Sequence, residues 1–188
     1  MAARNNQVRI IAGRWRGRRL AFPEVGGLRP TADRIRETLF NWLTPRLPGA
    51  SCLDLFAGSG ALGFEAASRG AEAVVLVERD RLALAALEAN RRRLDAPEVS
   101  IVGQSAERYL AGVPQPFDIV FLDPPFARPG LLDACAASLA GGGWLKAGAR
   151  IYVELPAKGA AFEVPDGWRL DRRKRAGQVE YRLYVAPS

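Results

Sequence analysis

Between residues 51 and 155 the chain alternates short apolar runs with segments whose apolar positions recur every three or four residues. The runs are "SCLDLF" (51–56), "AVVLVE" (73–78), "VSIV" (99–102), "FDIVFLD" (117–123) and "RIYVEL" (150–155). Strands that read as nearly continuous apolar runs are covered on both faces, as in parallel sheets. The segments between them predict helices: "GALGFEAASRG" (60–70), "RDRLALAALEANRRRL" (79–94), a short one near 105–111, and "GLLDACAASLA" (130–140). In the 79–94 helix the expected apolar stripe is Leu82, Ala86, Leu87 and Leu94. This alternation predicts an α/β fold, a Rossmann-like doubly wound, mostly parallel sheet of about seven strands.

The two ends change character. "WRLDRRKRAGQVEYRLYVA" (168–186) reads as two extended segments joined at Ala176-Gly177, a late antiparallel hairpin on the sheet edge. "VRIIAGRWRGRRLAFP" (8–23) reads as a basic β-hairpin ahead of the core. "RPTADRIRETLFNWL" (29–43) then predicts a helix with Thr31 as N-cap and Ile35, Leu39 and Trp42 on one face. The expected organisation is a basic extension over 1–27 and one α/β domain over 28–188.

Charge narrows the class of partner. The 188 residues carry a formal net charge of +7, which favours an anionic partner, nucleic acid first and a membrane surface second. Histidine is absent, which removes the commonest general base and the commonest zinc ligand. Cys52 and Cys135 form no CxxC pair and read as reduced core side chains. The N-terminal "MAARNNQVRI" lacks an apolar signal core and no uncharged apolar run is long enough to span a bilayer, so a cytoplasmic protein without a metal is expected.

Candidate chemistry sits at two strand ends. "DLFAGSGALG" (54–63) follows the 51–56 run and opens a helix, and Gly58, Gly60 and Gly63 match G-x-G-x-x-G. In that context glycines let a ligand approach the backbone, and Glu78, ending the 73–78 run, stands where a carboxylate meets a ribose. NAD and S-adenosylmethionine both offer such a ribose. Asp54, placed to face the amino group of a cationic ligand, tilts the choice towards S-adenosylmethionine.

The second strand end, "FLDPPF" (121–126), tilts it further. Asp123 is delivered to the carboxyl edge of the sheet, where ligands bind. Pro124 and Pro125 stiffen the turn and leave carbonyls without internal partners. Phe126 offers a flat face for a base. A carboxylate and a fixed carbonyl suit the two hydrogens of an exocyclic amino group, whose delocalised lone pair needs positioning more than acid–base help.

Taken together, "RIIAGRWRGRRL" (9–20), "LRPTADRIRETLFNWL" (28–43), "CLDLFAGSGALGFEAASRGA" (52–71), "VERD" (77–80) and "FLDPPF" resemble the RsmD family, bacterial methyltransferases of small-subunit ribosomal RNA. The resemblance implies S-adenosylmethionine as donor and the exocyclic N2 of a guanine in 16S rRNA as acceptor, guanine 966 being the family's usual target. It implies an assembled or nearly assembled small subunit as partner, and we expect a monomer. The implied donor-binding residues are Asp54, Phe56, Ala57, Gly58, Ser59, Gly60, Glu78, Arg79, Gln104 and Ser105. Ser105 stands where related enzymes often place Asp or Asn near the adenine amino group. The implied acceptor residues are Asp123, Pro124, Pro125 and Phe126.

Arginines interleaved with an aromatic ring suit an RNA surface: Arg9, Arg14, Trp15, Arg16, Arg18 and Arg19 in the head, then Arg29, Arg34 and Arg36. The resemblance implies that Asp33, Arg34 and Glu37, kept together in the family's motif, organise the cleft. In the tail run Arg172–Arg175, RNA contact and a solvated turn are equally expected. The competing readings are a DNA adenine-N6 or cytosine-N4 methyltransferase, a non-catalytic RNA-binding ribosome-assembly factor, and an NAD-linked oxidoreductase. The last lacks an obvious proton donor.

Overall fold

Secondary structure follows the hydrophobic pattern closely in the computed structural model, which describes residues 6–24, 30–128, 130–158 and 162–188. In chain order the elements are β1 (Asn6–Arg9), β2 (Arg19–Phe22), α1 (Asp33–Leu43), a 3-10 turn (Thr44–Arg46), β3 (Ser51–Asp54), α2 (Ala61–Ser68), β4 (Ala73–Glu78), α3 (Arg81–Leu94), β5 (Val99–Gly103), α4 (Ala106–Leu110), β6 (Phe117–Leu122), α5 (Leu131–Gly141), β7 (Leu145–Pro156), β8 (Arg169–Ala176) and β9 (Val179–Val185). β1 and β2 form an antiparallel ribbon, and the other seven strands form a mostly parallel α/β sheet. The chain divides into two compact units, Met1–Ser105 and Ala106–Ser188. The expected boundary between 27 and 28, and Arg29 with it, fall in 25–29, outside the described residues.

In the first unit β3, β4 and β5 run parallel, with Leu53 beside Val75 and Leu76 beside Ile101. Helix α2 is buried along its whole length, which its small residues allow. A Cβ on Gly63 would lie 2.1 Å from Leu76 Cδ2, so this glycine serves close helix–strand packing rather than ligand approach. Helix α3 starts at Arg81, two positions later than the predicted 79, because Asp80 caps it by accepting the Leu82 and Ala83 N–H groups, each at 2.9 Å. Its buried face is therefore Ala83, Leu87, Asn90 and Leu94, and Leu82 is 64% exposed rather than part of the stripe. Thr31 is not the N-cap of α1. Ala32 holds that place without a side-chain cap, and the Thr31 carbonyl accepts from Arg36 Nε at 3.1 Å.

The β1–β2 ribbon is fastened to this unit by buried polar groups. Glu65 of α2 is fully buried; it accepts the Ile11 and Ala12 N–H groups at 2.8 and 3.0 Å and Arg69 Nε at 2.7 Å. Arg36 of α1, also fully buried, approaches Glu65 at 3.5 Å, Asp33 at 2.6 Å and the Arg9 carbonyl at 2.9 Å. The Asn90 amide pairs with the Ala21 backbone in both directions, at 3.2 and 2.8 Å, and so closes the edge of β2.

In the second unit β6 and β7 are parallel, β7 and β9 antiparallel, and β9 and β8 antiparallel, as the tail pattern predicts. Cys135 is enclosed on α5, and burial pushes its thiol up to about 12. Cys52 is buried on β3 in the first unit, so both thiols are core side chains. Across the β8–β9 hairpin, Arg173, Arg175 and Arg182 converge on Glu180 at 2.8, 2.6 and 2.6 Å. The guanidinium of Arg173 first, then those of Arg175 and Arg182, hold that carboxyl down at about 2. Part of the tail's basic run is thus committed internally.

Glu65→Ala would remove the acceptor of the Ile11, Ala12 and Arg69 N–H groups and one of the two carboxylates beside Arg36. Removing one member of such a buried pair costs about 3–5 kcal/mol, and equilibrium urea unfolding is expected to show a loss of that size.

Candidate functional site

The first candidate region is the turn from β3 into α2. Gly58 and Gly60 adopt φ of 50° and 77°, backbone that side-chain-bearing residues seldom adopt. Three hydrogen bonds shape the loop. Ala57 N–H reaches the Val77 carbonyl at 3.0 Å, Gly60 N–H the Ala57 carbonyl at 2.7 Å, and Gly58 N–H the Glu78 carboxylate at 2.9 Å. Glu78 also accepts the Arg79 and Asp80 N–H groups at 2.7 and 2.8 Å. Its two oxygens thus tie the loop to the start of α3 and still have acceptor capacity for a ligand hydroxyl, since a carboxylate offers about four lone-pair sites.

Asp54 lies beneath this loop, 2% exposed, and accepts the Gly63 N–H at 3.2 Å. Burial pushes its carboxyl up to about 7, against the backbone N–H groups of Gly63 and Phe56 that favour the charged form, and Glu78 adds to the rise. Ser59 is buried, while Phe56, Gln104 and Ser105 are partly open and Arg79 is exposed. The Gln104 N–H is engaged by the Val102 carbonyl at 3.1 Å.

The second region, in the other unit, follows β6. Asp123 is half-buried, Pro124 buried, Pro125 exposed, and Phe126 is 47% exposed. The turn closes on itself: the Pro125 carbonyl accepts the Arg128 N–H at 3.1 Å. That carbonyl therefore has an internal partner, contrary to the sequence expectation, because the chain must turn at once to enter α5.

The arginine head divides by burial. Trp15 is 6% exposed, its ring edge-on to Phe64 with centroids 6.5 Å apart and the Arg14 guanidinium 4.0 Å over it. Its faces are taken by the protein, so the expectation of a base-stacking ring fails. The same holds for Arg36, whose guanidinium is enclosed and engaged by Glu65, Asp33 and two carbonyls. Arg14 is paired with Glu98 and Arg9 with Asp33. Arg16, Arg18, Arg19 and Arg34 are exposed. Arg9 and Arg19 line a concavity of about 390 Å³ that Asp33 also borders. Of the expected cleft organisers, Asp33 clamps Arg9 and Arg36, while Glu37 is exposed. Among the described residues no group of three His, Cys, Asp or Glu side chains is placed to hold a metal ion, and no helix is long and apolar enough to cross a membrane.

Sequence reasoning missed Glu65 and Glu154. Each was visible as an acid inside an otherwise apolar element, "ALGFEAAS" and "RIYVEL". Glu154 is 7% exposed and accepts the Tyr152 hydroxyl at 2.8 Å.

Comparison with known proteins places the chain among the methyltransferases of the α/β class. The family model described as "Conserved hypothetical protein 95" matches residues 8–185. Ribosomal RNA small subunit methyltransferase D of Escherichia coli strain K12 is 51% identical over 180 residues, 96% of this chain and 90% of its own. The protein of the same name from Haemophilus influenzae is 46% identical, over 95% and 93% of the two chains. The solved structure of the Escherichia coli protein yhhF superposes with a TM-score of 0.91 at 48% identity, covering 97% of this chain and 99% of that one. The chain belongs to the RsmD family of methyltransferases.

The Asp54 proton gives a pH signature. The folded chain keeps it to about pH 7, whereas an unfolded aspartate releases it near 3.8. Folding therefore binds a proton in that window, and stability falls as pH rises from about 4 to about 7. Asp54→Asn should flatten that limb of a Tm-against-pH curve.

Proposed function

We propose that the protein transfers a methyl group from S-adenosylmethionine to the exocyclic N2 of a guanine in 16S rRNA, within an assembled or nearly assembled small subunit. The family's usual target, guanine 966, is the position we assign. The observation that carries this reading is the end of β6, where a half-buried carboxylate, two prolines and a half-exposed phenyl ring succeed one another. The names of the relatives supply the RNA.

The donor set fits a cationic sulfonium nucleoside. A buried Asp54 whose proton affinity burial has raised is poised to give that proton up when a cation arrives. Glu78 would accept from the ribose, and the residues from Phe56 to Gly60 would line the ligand with Arg79, Gln104 and Ser105. S-adenosylmethionine, when bound, supplies an electrophilic methyl group. In this reading Asp123 and the Pro124 carbonyl accept the two hydrogens of the base's amino group and orient its lone pair, while Phe126 stacks on the ring. Positioning and electrostatics then carry the rate. The protein acts as a cytoplasmic monomer, with residues 1–27 as an RNA-docking extension of a methyltransferase domain over 28–188.

Labelled-methyl transfer to small subunits lacking the modification, against duplex DNA and naked rRNA, tests the substrate. Asp123→Ala is expected to keep donor binding and slow transfer by about 10²–10³, the scale of removing one preorganised polar group. Near-normal transfer by the folded variant would show that the tetrapeptide is only a stiff turn.

RNA docking is tested by salt. Neutralising Arg16, Arg18 and Arg19 should reduce the dependence of log Kd on log salt by roughly 0.7–0.9 for each phosphate that the variant no longer neutralises. An unchanged slope in a filter-binding titration would place the RNA surface elsewhere.

A further inference from the structure

We infer that the β8–β9 hairpin carries a second RNA-binding site, in which Arg173 and Arg175, gathered by Glu180, grip backbone phosphates of the rRNA strand beside the target base. The partner rests on the rRNA-methyltransfer reading, and the geometry lies wholly within the second unit.

β8 ends the strand order of the sheet, and among the described strands it pairs with β9 alone. Seven of its eight residues are exposed, and five of these are basic against one acid, Asp171. Charge by itself suffices to keep an edge strand from pairing with another chain, and needs no particular arrangement. Here there is one. Register sets Arg173 beside Arg182 and Arg175 beside Glu180, so the four share a face of the hairpin. Glu180 is 3% exposed and accepts from all three guanidinium groups, which keep its carboxyl charged. Arg182, the least exposed of them, meets Oε1 through Nε at 2.6 Å and Nη2 at 2.5 Å, and donates to the Tyr184 hydroxyl at 3.1 Å. That pairing alone balances the charge of Glu180. Arg173 and Arg175 both converge on Oε2, at 2.8 and 2.6 Å, with side chains 49% and 61% exposed. Among the described residues each donates one of its five N–H groups there. Two guanidinium groups so close repel each other, and the shared carboxylate holds them together. What they present outwards is a pair of oriented forks with two charges that Glu180 does not balance, which is the donor geometry that phosphate oxygens take.

The cluster stands at the end of the sheet where the acceptor turn begins. Leu122 pairs with Val153, Val153 with Arg182 and Arg182 with Arg173, one row across four strands. Asp123 follows Leu122 directly. Towards the carboxyl end of β7, Leu155 pairs with Glu180 and Glu180 with Arg175. Strands lie about 4.8 Å apart, so β8 is roughly 14 Å from β6. A strand of RNA whose base lies on Phe126 therefore carries its neighbouring phosphates past the hairpin. A nucleotide drawn from its stack needs its backbone held alongside, and phosphate contacts do this without reading sequence. An acidic protein would also meet the cations, but it has no reason to do so beside the turn that receives the base.

Arg173→Gln with Arg175→Gln removes the pair and leaves Arg182 on Glu180. Arg172→Gln with Lys174→Gln removes equal charge from the other face of the same strand. Both double variants are compared with the wild type by thermal melting and by calorimetric binding of S-adenosylmethionine. Filter binding of unmodified small subunits and of protein-free 16S rRNA follows over a salt series, then single-turnover methyl transfer at saturating subunits. For the first variant the expected result is a wild-type melt, unchanged donor affinity and RNA binding weaker by about 10-fold. Its slope of log Kd on log salt should fall by about 1.4–1.8, for two phosphates, and its transfer rate should stay within about two-fold. The second variant is expected to lose clearly less. Unchanged affinity and slope in the folded first variant overturn the inference. Equal losses in the two variants overturn it as well, since the strand would then attract RNA only diffusely. A loss confined to whole subunits would assign the cluster to an acidic protein of the subunit and overturn the RNA partner. Should the first variant not fold, Arg175→Gln decides by the same binding measurements, with an expected slope change of about 0.7–0.9. A wild-type product other than N2-methylguanosine would sink the proposed function, whereas the salt series judges the cluster whichever base is methylated.

Discussion

The first unit depends on one buried ion pair. Arg36 and Glu65 are both fully enclosed, on helices α1 and α2, and between them they gather Asp33, Arg69, two backbone N–H groups and two carbonyls. An ion pair this deep adds little net stability over an apolar core, because desolvation offsets its attraction. Its consequence is geometric. The chain at Ile11 and Ala12 has one place where its N–H groups are satisfied, and that place is the Glu65 carboxylate. A short two-stranded ribbon, marginal by itself, is thereby fixed against the helix that begins at the glycine loop.

That fastening also sets which arginines are available to a partner. The head holds a dense basic run, yet the structure sorts it into interior, paired and exposed members. Arg36 builds the unit, Arg9 and Arg14 are engaged with Asp33 and Glu98, and Arg16, Arg18 and Arg19 remain on the outside of the ribbon and its loop. In the tail Glu180 pairs with Arg173, Arg175 and Arg182, of which the first two stay exposed. A formal charge of +7 therefore overstates the number of cations free to meet phosphate but not the sign of the surface.

Carboxylates in three settings illustrate how burial assigns different behaviour to one chemical group. Glu180 is surrounded by guanidinium groups and is held charged far into acid. Asp54 has only backbone N–H partners to set against burial and keeps its proton almost to neutrality. Glu154, inside β7, is 7% exposed and accepts the Tyr152 hydroxyl. Sequence position can mark such an acid as unusual among apolar neighbours, but the partners that set its behaviour come from the fold.

The sequence by itself determined the α/β alternation, the late antiparallel hairpin, the glycine loop with Glu78 after it, and the Asp-Pro-Pro-Phe turn. Those features are written in local period, turn chemistry and short-range spacing, which act within a few residues of the chain. Only the tertiary structure decided that Trp15 faces Phe64 and not a base, that Arg36 is interior, and that Leu82 is exposed while Asn90 is buried. It alone showed that Gly63 serves packing against Leu76 and that the Pro125 carbonyl is already bonded. The physical reason is the same in each case. Burial and hydrogen-bond satisfaction depend on partners tens of residues away, as with Ile11 and Glu65 or Ala21 and Asn90, and no local pattern in the sequence carries that information.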